Sequence, residues 1–420
     1  MTKILSNLNA IKNDRISRWL LTISACIVLS VIFGLSFLDV KMISPLGAKK
    51  TAEAPQKKSQ YEVFGFAPYW TIGKLENVDF NVLTTLAYFG VPVNPDGTLD
   101  KTNVGYQKFE SEDATTLFNK AHSYGTRVVL TLTQMDNDSI MEFLDDSNAQ
   151  RLAIKNSVKL VKDRNIDGIN VDFEYVGDPG DEYRAKFTKF VGSLEASLHK
   201  SISNSNLSVS VYATSAKMPK LYDITSLSKN SDSIFMMAYD FATSGSSNAI
   251  PTAPLYGYKE GKYWYDISTA VDDFLAKMPA NKLILGLPWY GYNYPVSQPE
   301  IKAAKYQGYS YYYWYNRKRY LAQFLPTANA QTYESAIDTI KAEKTGWDDI
   351  GKVSWMAYQE DGIWRMIFLD DSKSLKIKYD FAKDKKLGGV GIWALGFDSG
   401  KNELWSLLSD EFGVELAKAN

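Results

Sequence analysis

"IDGINVDFEYVG", Ile166 to Gly177, is the stretch on which the fold turns. Ile166, Ile169, Val171 and Phe173 belong in a buried strand, whereas Asp167, Asn170, Asp172 and Glu174 do not. Successive side chains of a strand alternate between faces, so Asn170, Asp172 and Glu174 share one face and Ile169, Val171 and Phe173 the other. Burying an amide and two carboxylates is costly unless they pair with each other or with a ligand. In a closed barrel of parallel strands the polar face is the interior. Glu174 then stands at the C-terminal mouth, where such barrels do their chemistry. A purely structural barrel layer would use branched aliphatic residues instead.

On either side of this strand, short apolar runs alternate with amphipathic segments of helix length. The strand candidates are "YEVFGFAPYW" (61–70), "VLTTLAYFGVPV" (82–93), "RVVLTLT" (127–133), "GINVDFEY" (168–175), "LSVSVYA" (207–213), "SIFMMAYD" (233–240), "KLILGLPWYG" (282–291) and "GGVGIWALGFD" (388–398). Continuous rather than alternating runs are expected of parallel strands covered on both faces. Helices are expected over Asn148 to Arg164 and Asp181 to His199, the second with Phe187, Phe190, Val191, Leu194 and Leu198 in one stripe. The pattern predicts an α/β fold, a (β/α)8 TIM barrel over residues 61–415, with a doubly wound open sheet as the alternative. The connection from Gly291 to Lys386 is far longer than one crossover helix requires. It reads as a small α+β insertion over residues 292–385, between the seventh and eighth strands. Within it fall "YQGYSYYYWYNRKRY" (306–320), a helix-like segment around Thr332 to Lys344, and strands near "VSWMAY" and "GIWRMIFL".

The chain has 420 residues, with 47 Lys and Arg against 48 Asp and Glu, a net charge of -1 that leaves no electrostatic footprint for nucleic acid. Aromatic residues make up 14%, enough for a large core and for surfaces that stack on flat ligands. Cys26 is the one cysteine, so no intrachain disulfide can form. His122 and His199 fall on surface positions of expected helices and give no cluster with metal-ligand spacing, so neither metal nor cofactor is expected. There is no G-x-S-x-G, P-loop or zinc motif, and the glycines of "GGVG" lack dinucleotide spacing. Near the start, Trp19 to Leu38 carries no charge over roughly the 20 residues that span a bilayer. Lys12, Arg15 and Arg18 precede it, which favours a cytoplasmic segment over 1–18. The expectation is a single-pass membrane anchor at 19–38, a tether at 39–60 and the folded part outside the cell. A cleaved signal peptide is the rival, although no A-x-A site follows directly, and the "ISAC" box before Cys26 lies inside the apolar run.

The pattern D-x-x-N-x-D-x-E resembles the signature of the family-18 glycoside hydrolases, the chitinase-like barrels. "MMAYD" (236–240), "GLPWYG" (286–291), "GGVGIWALGFD" and the α+β insertion resemble further features of that family, in the same order, over about Gln60 to Gly413. The resemblance implies hydrolysis of β-1,4-linked N-acetylglucosamine glycans with retention, assisted by the substrate itself. It implies that Glu174 is the acid, that Asp172 orients the 2-acetamido group, and that Tyr239 hydrogen-bonds the acetamido oxygen. It also implies substrate contacts from Asp240, Trp393, Tyr69 and Trp289, with Trp393 flooring the central sugar subsite. Asn170 stands where the family's commoner motif has Asp. It can donate a hydrogen bond to Asp172 but cannot ionise. Asn here resembles a branch that includes spore-cortex and other cell-wall glucosaminidases, which favours peptidoglycan over chitin. The Tyr run would be either a wall of the sugar cleft or one face of an antiparallel sheet. The other functional readings are a glycan-binding, lectin-like barrel and a membrane-tethered scaffold.

Overall fold

The structure, a computed structural model, describes residues 60–339 and 342–413. Seven parallel strands come first: β1 (Glu62–Pro68), β2 (Thr85–Pro92), β3 (Arg127–Gln134), β4 (Gly168–Phe173), β5 (Asn206–Tyr212), β6 (Ser233–Met237) and β7 (Leu283–Pro288). An inserted region then supplies β8 (Tyr290–Val296), β9 (Tyr309–Tyr315), β10 (Lys318–Phe324), β11 (Asn329–Thr332), β12 (Lys344–Asp348), β13 (Val353–Glu360) and β14 (Ile363–Leu369). The chain returns to the barrel as β15 (Gly389–Trp393), which closes the ring between β7 and β1. The closed barrel expected from the sequence is thus present, and the open-sheet alternative is not.

The helices cover the outside of the ring through the stripes that the sequence displays. Phe187, Phe190, Val191, Leu194 and Leu198 of the helix Asp181–Ser201 are all buried, and Phe190 stacks on Phe173 of β4 at 5.9 Å. Inside, the barrel is divided by polarity. Phe64 and Phe66 of β1, Val129 of β3, Phe235 of β6 and Ile284 of β7 form a separate apolar cluster. A Cβ on Gly286 or Gly391 would lie 2.3 or 2.1 Å from the Phe235 ring, so these two glycines make room for it. Asn170, Asp172, Ser208 and Ser210 on β4 and β5 are also buried, and form a polar sector.

The insertion differs from its expected bounds. β8 follows β7 almost directly, in a five-stranded antiparallel sheet of order β11-β8-β14-β13-β12. The helix Ser372–Asp384, which the range 292–385 includes, packs on β15 and on the helix Asn402–Phe412. It is the barrel's own crossover helix, separated from the insertion by the Asp371 cap on Ser374. The Tyr run forms β9 and β10, an antiparallel two-stranded sheet that among the described residues is separate from the five-stranded one, and not a wall of the cavity.

His122 is not a surface residue: its Nε2 lies 2.7 Å from Asp167, and the pair is largely shielded from solvent. The same carboxylate oxygen accepts Val128 N–H at 2.9 Å. Asp232 repeats the device two strands on, with His199 at 3.1 Å and Leu207 N–H at 2.7 Å. Glu195 brings a third ligand-type atom near this second pair. The duplicated geometry nevertheless accounts for both pairs as braces at the entry to barrel strands. The apolar run 19–38 and the tether up to residue 59 lie outside the described residues. Among the described residues, no helix is long and apolar enough to cross a membrane.

Candidate active site

β4 and the residue that follows it carry Asn170, Asp172 and Glu174 up the inside of the barrel. Asn170 pairs with Thr131 of β3 and Ser208 of β5, and Asp172 with Thr133 of β3. Glu174 N–H donates to Gln134 O at 2.9 Å, which fixes the residue at the end of the strand. Asp172 and Glu174 open into a cavity of about 410 Å³ at the C-terminal mouth. That size is within the range of small-molecule sites. Tyr239, Asp240 and Trp393 line the same cavity, so five of the eight residues singled out in the sequence meet there.

The other three are placed differently. Asn170 is fully buried beneath the cavity, and its amide serves β5 rather than Asp172. Its Nδ2 donates to Ser208 Oγ at 2.9 Å, and its Oδ1 accepts from Ser210 Oγ at 3.1 Å. Two serines on the neighbouring strand, at the same alternating spacing, take both ends of the amide. Asp172 is left with Oδ1 buried and without a hydrogen-bond partner. Trp289 is fully buried and packs edge-on against Trp405 at 5.3 Å, away from the cavity. Its neighbour Tyr290 faces the cavity instead, because Trp289 occupies the break between β7 and β8. Tyr69 lies in the 3-10 turn after β1, edge-on to Trp70 at 4.8 Å, and does not line the cavity.

Aromatic rings build the floor and lead outward. Trp393 meets Phe66 at 5.4 Å and Phe89 at 4.8 Å, and lies nearly parallel to Tyr239 at 6.5 Å. Phe89 in turn meets the exposed Trp70 at 6.0 Å. Asp240 follows β6 in the left-handed region at φ 57°, which Asp tolerates better than most residues. Its carboxylate accepts hydrogen bonds from the hydroxyls of Tyr290, Tyr292 and Thr252. The insertion therefore completes one wall of the site through β8.

Burial dominates the electrostatics of the carboxylates. It pushes Asp172 well above the ordinary carboxylate range, and the neighbouring charge of Glu174 adds to the effect. Burial also raises Glu174; a hydrogen bond from the Tyr212 hydroxyl opposes the rise, the Asp240 charge reinforces it, and the Lys220 charge opposes it. Asp240 is raised by desolvation against the pull of its three hydroxyl partners. Lys220, itself lowered by burial, holds its Nζ 4.0 Å from the centre of the Tyr212 ring. Its backbone is in the left-handed region at φ 49°, and its carbonyl accepts from Arg184 at 2.8 Å. Tyr212, Lys220, Trp264 and Tyr290 are cavity residues that the sequence reading missed. For Tyr212 a signal existed: "LSVSVYA" puts Ser208, Ser210 and Tyr212 on one face, as β4 does with its own polar residues.

The family described as "Glycosyl hydrolases family 18" matches residues 59–398, a span that includes every barrel strand and every cavity residue named above. The chain belongs to glycosyl hydrolase family 18. Relatives include the human di-N-acetylchitobiase, 25% identical over 332 residues that cover 76% of this chain and 74% of that protein. An endochitinase of Brugia malayi is 25% identical over 261 residues, 58% of this chain and 48% of its own. Among solved structures, the family-18 chitinase of Cycas revoluta in complex with (GlcNAc)4 superposes with a TM-score of 0.69 at 20% identity, covering 84% of this chain and 99% of that one. The Bacillus cereus spore cortex-lytic enzyme SleL gives 0.63 at 20% identity, covering 85% and 75%. Human YKL-39, described as a pseudo-chitinase with retained chitooligosaccharide binding, gives 0.69 at 18% identity, covering 84% and 99%. Membership supports glycan hydrolysis in general, while these likenesses to solved structures establish the barrel fold.

Proposed function

We propose that the protein hydrolyses β-1,4 linkages of N-acetylglucosamine-containing glycans with retention of configuration, using the substrate's own acetamide as the nucleophile. The observation that carries this reading is the buried, unpartnered Oδ1 of Asp172, one strand step below Glu174 in the same cavity. A buried acceptor of this kind calls for a donor from the ligand, and an acetamide N–H is such a donor. In this reaction Glu174 gives its proton to the glycosidic oxygen as the bond to C1 breaks. The acetamido oxygen bonds to C1 in its place, and Asp172 accepts the N–H and offsets the positive charge of the oxazolinium formed. Tyr239 donates to the acetamido oxygen and orients it. Water then adds to C1 as Glu174, now a carboxylate, takes its proton, and the acetamide is released. Incubating the protein with chitooligosaccharides and with peptidoglycan, with mass analysis of the products, tests the activity. Binding to either polymer without turnover would support the lectin-like reading instead.

Trp393 is the apolar floor in this scheme. Trp393→Ala should weaken oligosaccharide binding by roughly 1–3 kcal/mol, by analogy with stacking on nucleobases. Oligosaccharide affinity and melting temperature measured on one preparation separate this from a core defect, which would lower the melting temperature and leave affinity intact.

Peptidoglycan is preferred to chitin. Lys220 is the only cation among the described residues that line the cavity, and peptidoglycan carries carboxylates on its peptide stems, or on the lactyl group of a sugar without a stem, where chitin carries none. Lys220→Gln should lower kcat/KM on peptidoglycan fragments about tenfold more than on chitooligosaccharides of equal length, the scale of one charge-assisted hydrogen bond. An equal loss on both would mean that Lys220 acts only on Glu174.

A further inference from the structure

The hairpin of β9 and β10 turns through Asn316 and Arg317, both in the left-handed region at φ 46° and 61°. This is the geometry of a type I′ turn. Cross-strand register puts Tyr309, Tyr311, Tyr313 and Tyr315 on one face with Tyr320 and Phe324, and Tyr312 and Trp314 on the other with Leu321. Neither face is covered: Trp314 is 72% exposed, Tyr315 63% and Leu321 58%. The rings pack mainly on one another, with Tyr313 on Tyr320 at 5.6 Å and Tyr309 on Phe324 at 5.5 Å. None of them lines the cavity. A lone two-stranded ribbon is marginal in water, and exposed apolar surface of this extent marks a docking site.

Charge identifies the occupant. From Ile301 to Tyr333 the chain has Lys302, Lys305, Arg317, Lys318 and Arg319 and no Asp or Glu, in a protein whose charges otherwise balance. Arg317 occupies a turn position where glycine would be unstrained, so the ribbon gives up stability and keeps a cation at its tip. Arg319 lies 3.6 Å from the centre of the Tyr312 ring. Tyr and Trp beside Lys and Arg are the residues that settle at the headgroup level of a bilayer, the cations near anionic lipid. A glycan strand would stack on one flat aromatic face, whereas this ribbon exposes aromatic and apolar side chains on both. Residues 39–59, between the apolar run and the first described residue, can extend to about 70 Å at most, ample for a hairpin of an anchored protein to touch the same membrane.

We propose that the β9–β10 hairpin docks the barrel onto an anionic phospholipid surface. The test uses the full-length chain in vesicles of phosphatidylcholine, with or without phosphatidylglycerol, and brominated acyl chains as quenchers. Subtracting the signal of Trp314→Phe isolates Trp314. The expected result is a blue-shifted, quenched Trp314 component in anionic vesicles and a much smaller effect in neutral ones. Arg317→Gly with Lys318→Gln keeps the turn and removes two cations, which should weaken docking on the order of tenfold or more. Quenching should fall accordingly, while activity on a short soluble substrate is unchanged. An unquenched, water-exposed Trp314 in both vesicles would overturn the proposal. A shift produced by added chitin or peptidoglycan fragments would assign the ribbon to glycan, and one that grows with protein concentration without lipid would assign it to a second copy; either result also overturns it.

Discussion

Glu174→Gln should lower the hydrolytic rate at least about a hundredfold while leaving oligosaccharide affinity nearly unchanged. Gln keeps the shape and one donor but cannot transfer a proton, and general-acid contributions are about 10²–10⁴. The same reasoning fixes the pH dependence. Burial raises the Glu174 carboxyl above its ordinary value, so the acid stays protonated to higher pH and the alkaline limb of the rate profile lies above the ordinary Glu range. Steady-state rates across pH, with oligosaccharide affinity from calorimetry, check both points. A variant that keeps most of its activity would remove Glu174 from the role of acid.

Asp172→Asn should separate activity from stability. The rate should fall about 10²–10³-fold, the usual loss when one preorganised charge-stabilising group is removed. Stability without ligand should rise. The folded-state pKa of Asp172 lies above its unfolded value, so its favourable contribution is full below the unfolded value and is lost as pH rises through the folded one. Above that folded-state value the parent carries the cost of a buried, unpartnered carboxylate oxygen, about 1–3 kcal/mol. The melting temperature of the Asn variant should exceed that of the parent by most on the alkaline side, and the gap should shrink as pH falls and close at the ordinary Asp value. A variant destabilised on the alkaline side would mean that Asp172 is paired in the folded protein.

What could be read in advance follows from periodicity. Strand parity aligns Asn170 and Asp172, because β4 is regular from Gly168 to Phe173, and it reaches Glu174 because the bond from Glu174 N–H to Gln134 O carries the ladder one residue further. Parity fails where a strand ends. Trp289 and Tyr290 are neighbours at the break between β7 and β8, and the sequence does not say which of them faces the cavity. Lys220 follows β5 after a stretch of turns and bends, and enters through a left-handed residue that no apolar pattern announces. The Asn170 misreading has another cause. Its partners Ser208 and Ser210 are close in space only because β4 and β5 pair in parallel, and the register between strands is not visible within either one. The tyrosine run showed its β-propensity but not that its ribbon stays apart from the sheet beside it.

Whether the buried Asp172–Glu174 pair directs attack by the substrate's own acetamide is decided by proton NMR of the first-formed products from a chitooligosaccharide or a peptidoglycan glycan strand. Attack by the acetamide followed by water inverts C1 twice, so the new reducing end should appear first as the β anomer and then equilibrate. A matched oligosaccharide with free amines in place of the acetamides at the cleavage site should give no product. An initial α anomer, or cleavage of the deacetylated substrate at a comparable rate, would rule out the acetamide as the nucleophile.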